Sequence, residues 1–198
     1  MIVVLTGSVG TGKSTVAGFF RELGAYVVDF DELAREVTRP HSRAWEKIVE
    51  FFGRDVLNED LTINRQRLAD IVFCDHDKLA RLNEIVHPEV FEQDERITAE
   101  IRERDSDALV IKDIPLFYEV SCPISVDSVI VVAASEQTQL RRLEKKAMSL
   151  EDASRRIKAQ LPIDYKSRRA DFVIDNDGSL EETKRQVEAI YCLLRGRS

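Results

Sequence analysis

The chain has 198 residues, enough for one compact core with room for inserted subdomains. With 43% hydrophobic and 33% charged residues it has the make-up of an ordinary globular protein, not of a disordered or fibrous one. A net charge of −7 argues against a general nucleic-acid binder. The longest unbroken apolar run, residues 129–134, is far too short to span a bilayer, so no membrane partner is expected. No basic leader precedes the first apolar run, so no signal peptide is expected. Cys74, Cys122 and Cys192 are scattered and form neither a zinc spacing nor a disulfide framework. A reducing, cytoplasmic setting is the expectation.

Residues 2–5 are apolar and mostly β-branched, which predicts a buried strand. Gly7-Ser8-Val9-Gly10-Thr11-Gly12-Lys13-Ser14 follows, a G-x-x-x-x-G-K-S stretch with Thr15 after it. The apolar spacing of residues 16–23 predicts a helix ending near Gly24. Strand, glycine loop and helix are the context in which this motif cradles a nucleoside triphosphate. Its backbone N–H groups and the helix start favour phosphate, Lys13 adds a point charge, and the Ser14 hydroxyl suits Mg²⁺. Residues 26–29 predict the second strand, which places Asp29 and Asp31 at or just beyond its carboxyl end, where parallel sheets put their sites.

Residues 32–50 look helical with an interruption near Pro40, 58–62 look like a turn, and 65–73 have helical spacing. A further helical pattern runs to His87-Pro88 and a charged helix over 89–104. The proline should push His87 out of helical conformation. The third strand is 108–113, ending in Asp113, with Ile114-Pro115-Leu116 next. About 80 residues separate Asp31 from Asp113, where a whole βαβ unit takes about 30. Residues 32–106 are therefore expected to form a helical insertion. Strand four is 127–132, helices cover 137–147 and 150–160, strand five is 172–175, and a last helix covers 180–195. Between Arg141 and Arg169 stand ten Lys/Arg against four Asp/Glu, a local +6 that leaves −13 elsewhere. Residues 136–169 are expected to form a basic lid. The core would then be 1–31, 107–135 and 170–198. The fold class is α/β: a five-stranded, mainly parallel P-loop kinase sheet with helices on both faces, a helical substrate insertion and a helical lid.

A carboxylate at the end of an apolar strand, as at Asp113, can hold Mg²⁺ through water. A carboxylate at Asp31 can accept the proton of an acceptor hydroxyl and aim its oxygen at the γ-phosphate. It could equally cap the helix starting at Glu32. Because aspartate is a weak base, orientation matters more than bulk proton removal. Arg142 and Lys146, four apart, would lie on one helix face and bring charge to the γ-phosphate as the lid closes.

Taken in order, these residues resemble the dephospho-coenzyme A kinase family nearly end to end. The carrying pieces are Leu5-Thr6-Gly7 into the loop, Val28-Asp29-Phe30-Asp31 with Ala34-Arg35, Ile63-Asn64-Arg65 and Ile85-Val86-His87-Pro88. They continue with Asp113-Ile114-Pro115-Leu116 and Glu119, Gln139 to Leu143, Arg156 to Pro162 with Lys166, and Ala170-Asp171 to Asn176. The resemblance implies ATP-dependent phosphorylation of the 3′-hydroxyl of dephospho-coenzyme A, with ATP and Mg²⁺. It implies that Gly7 to Thr15, Arg142 and Asn176 serve ATP, with Lys13, Asp31 and Arg142 catalytic. It further implies that Asp31, Arg35, His87, Pro115 and Leu116 meet the coenzyme, and that Ser14 and Asp113 serve the metal. Three departures stand out. Ser8 replaces the family's second glycine and is expected to be conformationally strained, Phe117-Tyr118 are bulky, and Lys146 replaces an arginine.

Two alternatives remain at this point: a P-loop kinase for nucleoside monophosphates or shikimate, and a GTPase-type switch. Asp175-Asn176-Asp177-Gly178 fits D-x-x-G, but no guanine-reading Asn-Lys-x-Asp occurs. The sequence leaves the oligomeric state open between a monomer and a small homo-oligomer.

Overall fold

Five β-branched runs pair into one sheet, and every pairing is parallel: β1 (Ile2–Gly7), β2 (Tyr26–Asp29), β3 (Val110–Asp113), β4 (Ser128–Ala133) and β5 (Phe172–Asp175), in the order β2-β3-β1-β4-β5. The computed structural model describes residues 1–72, 74–120 and 122–196. Val3, Leu5, Ile111, Ile130, Val132 and Ile174 alternate along their strands onto one face. There they meet Val16, Ala17 and Phe20 of α1 (Lys13–Glu22) and Val187, Ile190 and Leu194 of α9 (Leu180–Arg195). Val4, Val110 and Val131 point the other way and are also buried, as a parallel sheet covered on both sides requires. A capping box between Ser179 and Glu182 starts α9.

β1 is central. The chain leaves it through α1 toward β2, whereas the neighbouring β4 leads through α6 (Glu136–Glu144), α7 (Leu150–Lys158) and α8 (Ile163–Ser167) to β5 on the other side. Connections departing in opposite directions open a crevice above the carboxyl ends of β1 and β4. Register puts Asp113 beside Leu5 on one side and Asp29 on the other, so two carboxylates end adjacent strands at that same edge.

The chain divides into two compact units, 1–29 with 104–198, and 30–103. The second has its own core, built by Ala44 and Ile48 of α3 (Arg43–Phe52), Leu68 and Val72 of α4 (Arg65–Val72), and Ile85 of α5 (His76–Arg104), with Val56, Leu57 and Ile63. The expected end of the 65–73 helix, Phe73, lies outside the described residues, as do Arg197 and Ser198 of the expected core. The helical stretch expected over 32–50 is interrupted near Pro40 as expected, forming α2 (Phe30–Glu36) and α3, joined through His41 at φ 68°. Asp31 therefore stands inside the first turn of α2 rather than capping it.

Two expectations fail here. No helix ends at His87-Pro88: α5 runs unbroken through Pro88 for 29 residues. A helical proline costs about 3 kcal/mol, because it lacks an amide for the Glu84 carbonyl and crowds it. Burial on both sides outweighs that, since Ile85 before the proline and Val90 after it are both inside. The helix expected over 137–147 stops at Glu144 and the chain turns through Ala147 at φ 61°. Lys146 thus lies beyond the helix and shares no helical face with Arg142.

Candidate active site

β1 delivers the chain to Gly7 and α1 receives it at Lys13, so the loop between them sits at the carboxyl edge of the sheet. Gly10 (φ 79°) and Gly12 (φ 90°) take left-handed conformations that side chains resist. A Cβ at Gly10 would lie 2.9 Å from the Gln139 carbonyl oxygen, and one at Gly12 would run into the Asn176 amide. Ser8 overturns the strain expected of it. Among the described residues the non-glycines at positive φ are His41, Leu61 and Ala147. Ser8 is buried, and its carbonyl accepts from Thr11 N at 3.2 Å and Thr11 Oγ1 at 2.8 Å, which closes the loop as a tight turn. Val9 N donates to Gln160 Oε1 at 2.8 Å. Ser14 and Thr15 are exposed in the first turn of α1, a helix whose positive end faces the loop.

Lys13 Nζ forms an ion pair with Asp113 Oδ1, so the loop cation and the strand-end carboxylate are side by side. Arg142, on α6, is docked on the loop. Its guanidinium donates to the Thr11 carbonyl at 2.9 Å and to the Asn176 carbonyl at 2.7 Å. Asn176 Nδ2 donates to the same Thr11 carbonyl at 2.7 Å, and its Oδ1 accepts from Thr183 Oγ1 at 2.7 Å. Arg142 and Asn176 thus hold the centre of the loop between them. Arg141, Lys145 and Lys146 are exposed. Thr6 Oγ1 donates to the Pro115 carbonyl at 3.1 Å, fixing the turn after β3, where Leu116 is exposed.

In the second unit Asp31 and Arg35 lie on α2 and Arg65 starts α4. The three form one electrostatic group. Partial burial, then Arg35, lower the proton affinity of Arg65, and Asp31 raises it. Arg65 also donates to Thr38 Oγ1 at 3.3 Å. Neither composition nor periodicity gave Arg65 a role; only the return of α4 past α2 sets it near Asp31. His87 is half-buried, its ring centroid 5.9 Å from that of Phe91, which in turn lies 6.4 Å from Phe30. Burial lowers its pKa below the ordinary 6.5, so it is neutral at pH 7.

For a metal, the residues present fit a hard, oxygen-seeking ion. Asp113 offers a buried strand-end carboxylate and Ser14 a hydroxyl at the helix start. Among the described residues no group of three or more His, Cys, Asp or Glu could hold a metal by itself. No helix among them is long and apolar enough to cross a membrane.

A parallel five-stranded sheet carrying this glycine loop, its lysine and a carboxylate on the next strand defines a P-loop kinase fold. The family model for dephospho-CoA kinase matches residues 1–182. A dephospho-CoA kinase of Aquifex aeolicus is 45% identical over 187 residues, 94% of each chain. The chain belongs to the dephospho-CoA kinase family. Among solved structures, a protein from Thermus thermophilus superimposes with TM-score 0.83 at 33% identity, covering 98% of this chain and 97% of that one. A dephospho-CoA kinase from Campylobacter jejuni gives TM-score 0.72 at 25% identity, covering 100% and 98%.

Proposed function

We propose that the protein transfers the γ-phosphoryl group of ATP to the 3′-hydroxyl of dephospho-coenzyme A, giving coenzyme A and ADP in the last step of coenzyme A synthesis. The observation that carries this reading is the Lys13–Asp113 pair set against the glycine loop, in a chain of this family. The glycine loop of residues 7–15 takes the phosphates through amides other than those of Val9, Thr11 and Thr15, which bond within the protein, with Lys13 at the β- and γ-oxygens. Mg²⁺, held by Ser14 and through water by Asp113, would neutralise charge developing between the phosphates. Arg142 adds fixed positive charge at the loop, and Asn176 holds the loop's shape. Asp31 orients the acceptor hydroxyl and takes its proton, and Arg35, His87, Pro115 and Leu116 meet the coenzyme. The setting is cytoplasmic, with no nucleic-acid or membrane partner.

The test is ADP release with Mg²⁺-ATP, with and without dephospho-coenzyme A, in the wild type and in Asp31→Asn. Acceptor-dependent release that falls at least about a hundredfold in the variant is expected, the scale of a lost general base. Release that survives in Asp31→Asn would leave Asp31 a merely positional part. Release indifferent to dephospho-coenzyme A would overturn the substrate.

A further inference from the structure

Lys166, on α8, is a fully buried lysine, a placement a lysine tolerates only with a partner. Its Nζ lies 2.6 Å from Glu119 Oε1, and the same carboxylate oxygen accepts the Leu161 N–H at 3.1 Å. Glu119 belongs to the turn that follows β3, its own N–H donating to the Leu116 carbonyl at 3.0 Å. One end of that turn is tied to Thr6 through Pro115. The other end, through Leu161, fixes the residue next to Gln160, whose Oε1 accepts from Val9 N at 2.8 Å. A closed circuit of contacts therefore leaves the chain just before the glycine loop, at Thr6, and returns inside it, at Val9.

The Val9 and Thr11 amides are satisfied within the protein, the first by Gln160 and the second by Ser8. The loop is thus held at Val9 by a side chain some 150 residues along the chain. We propose that Gln160 is a positioning residue of the phosphate loop, kept in place by the Glu119–Lys166 pair, and that it keeps the loop open for a nucleotide before one arrives. This deepens the kinase reading, on which its consequence for ATP rests, but the contact itself can be tested without nucleotide.

The experiment compares wild type, Gln160→Met, Gln160→Glu and Lys166→Met by two readouts. One is hydrogen exchange at the Val9 amide without nucleotide. The other is Mg²⁺-ATP binding by calorimetry without acceptor, followed by steady-state kinetics. Gln160→Met keeps length and loses the acceptor. Val9 exchange should quicken at least about fivefold and the ATP Kd and KM should rise about fivefold, the size of one lost neutral hydrogen bond. The value of kcat should stay within about twofold. Gln160→Glu keeps an acceptor oxygen and should restore Val9 protection. Lys166→Met should quicken Val9 exchange as Gln160→Met does. Should it fail to fold, the two Gln160 variants decide. Unchanged Val9 exchange and ATP affinity in Gln160→Met would overturn the proposal, as would a fall in kcat alone. A wild type that bound no ATP would sink the kinase reading, while Val9 exchange would still decide whether Gln160 holds the loop.

Discussion

Gly12 concentrates two demands in one residue, a φ of 90° and an absent side chain where the Asn176 amide stands. Gly12→Ala would meet left-handed strain of about 1–2 kcal/mol. It would also push Asn176, and the Arg142 guanidinium near it, off the Thr11 carbonyl. We expect kcat/KM for ATP to fall at least about tenfold while circular dichroism stays native, with Ser8→Gly as the contrast. Ser8 is outside the left-handed region, so that change should alter kcat/KM less than about threefold and act mainly by loosening the unfolded chain. Equal losses in the two variants would mean that loop flexibility rather than shape limits activity. The glycine spacing was legible in the sequence because each glycine meets a local steric demand. The strain assigned to Ser8 was an error of the same reasoning, since a glycine elsewhere in a family does not establish that its position needs a positive φ. Arg65 was illegible for the opposite reason: its nearness to Asp31 and Arg35 is made by chain return, which no local pattern encodes.

At the level of elements, Pro88 divides what sequence can give from what packing decides. Local rules end a helix before a proline, and α5 continues because Ile85, Val90, Leu79, Leu82 and Val86 all have apolar surface to bury along it. Pro88→Ala should therefore stabilise the protein by about 1–3 kcal/mol, by restoring the amide that can bond the Glu84 carbonyl. Urea unfolding measures this directly. A loss of stability would show instead that the proline ring is itself needed where it stands. The five strands were readable from short runs rich in β-branched residues, three of them ending in an aspartate. The continuation of α5 through His87-Pro88, the helix end at Glu144 and the start of α2 at Phe30 were not. Each depends on packing or on a left-handed residue such as His41 or Ala147, neither of which carries a strong propensity for it.

Across the whole molecule, two cores in two units predict that stability need not be shared, and His87 offers a way to load one of them. Burial lowers the His87 pKa in the folded state below the ordinary 6.5 of the unfolded chain. Above pH 6.5 the ring is neutral in both states and contributes nothing to the pH dependence. As the pH falls through 6.5 the unfolded chain takes up the proton first, so stability drops. It goes on dropping until the folded-state pKa is reached, below which the loss is complete and constant. His87→Phe keeps a ring against Phe91 without a proton to bind, so its stability should fall less between pH 7 and pH 5. The chain's single tryptophan, Trp45, packs on the core of the same unit, so its fluorescence reports the unfolding of that unit. Urea midpoints rather than intensities are the quantity to compare, because the His41 ring lies 5.2 Å from the indole and influences its fluorescence directly. A wild type and variant with the same pH slope would show that burial of His87 does not load the unit. A smaller slope in the variant, seen by Trp45, would show that acid weakens the 30–103 unit through this one ring.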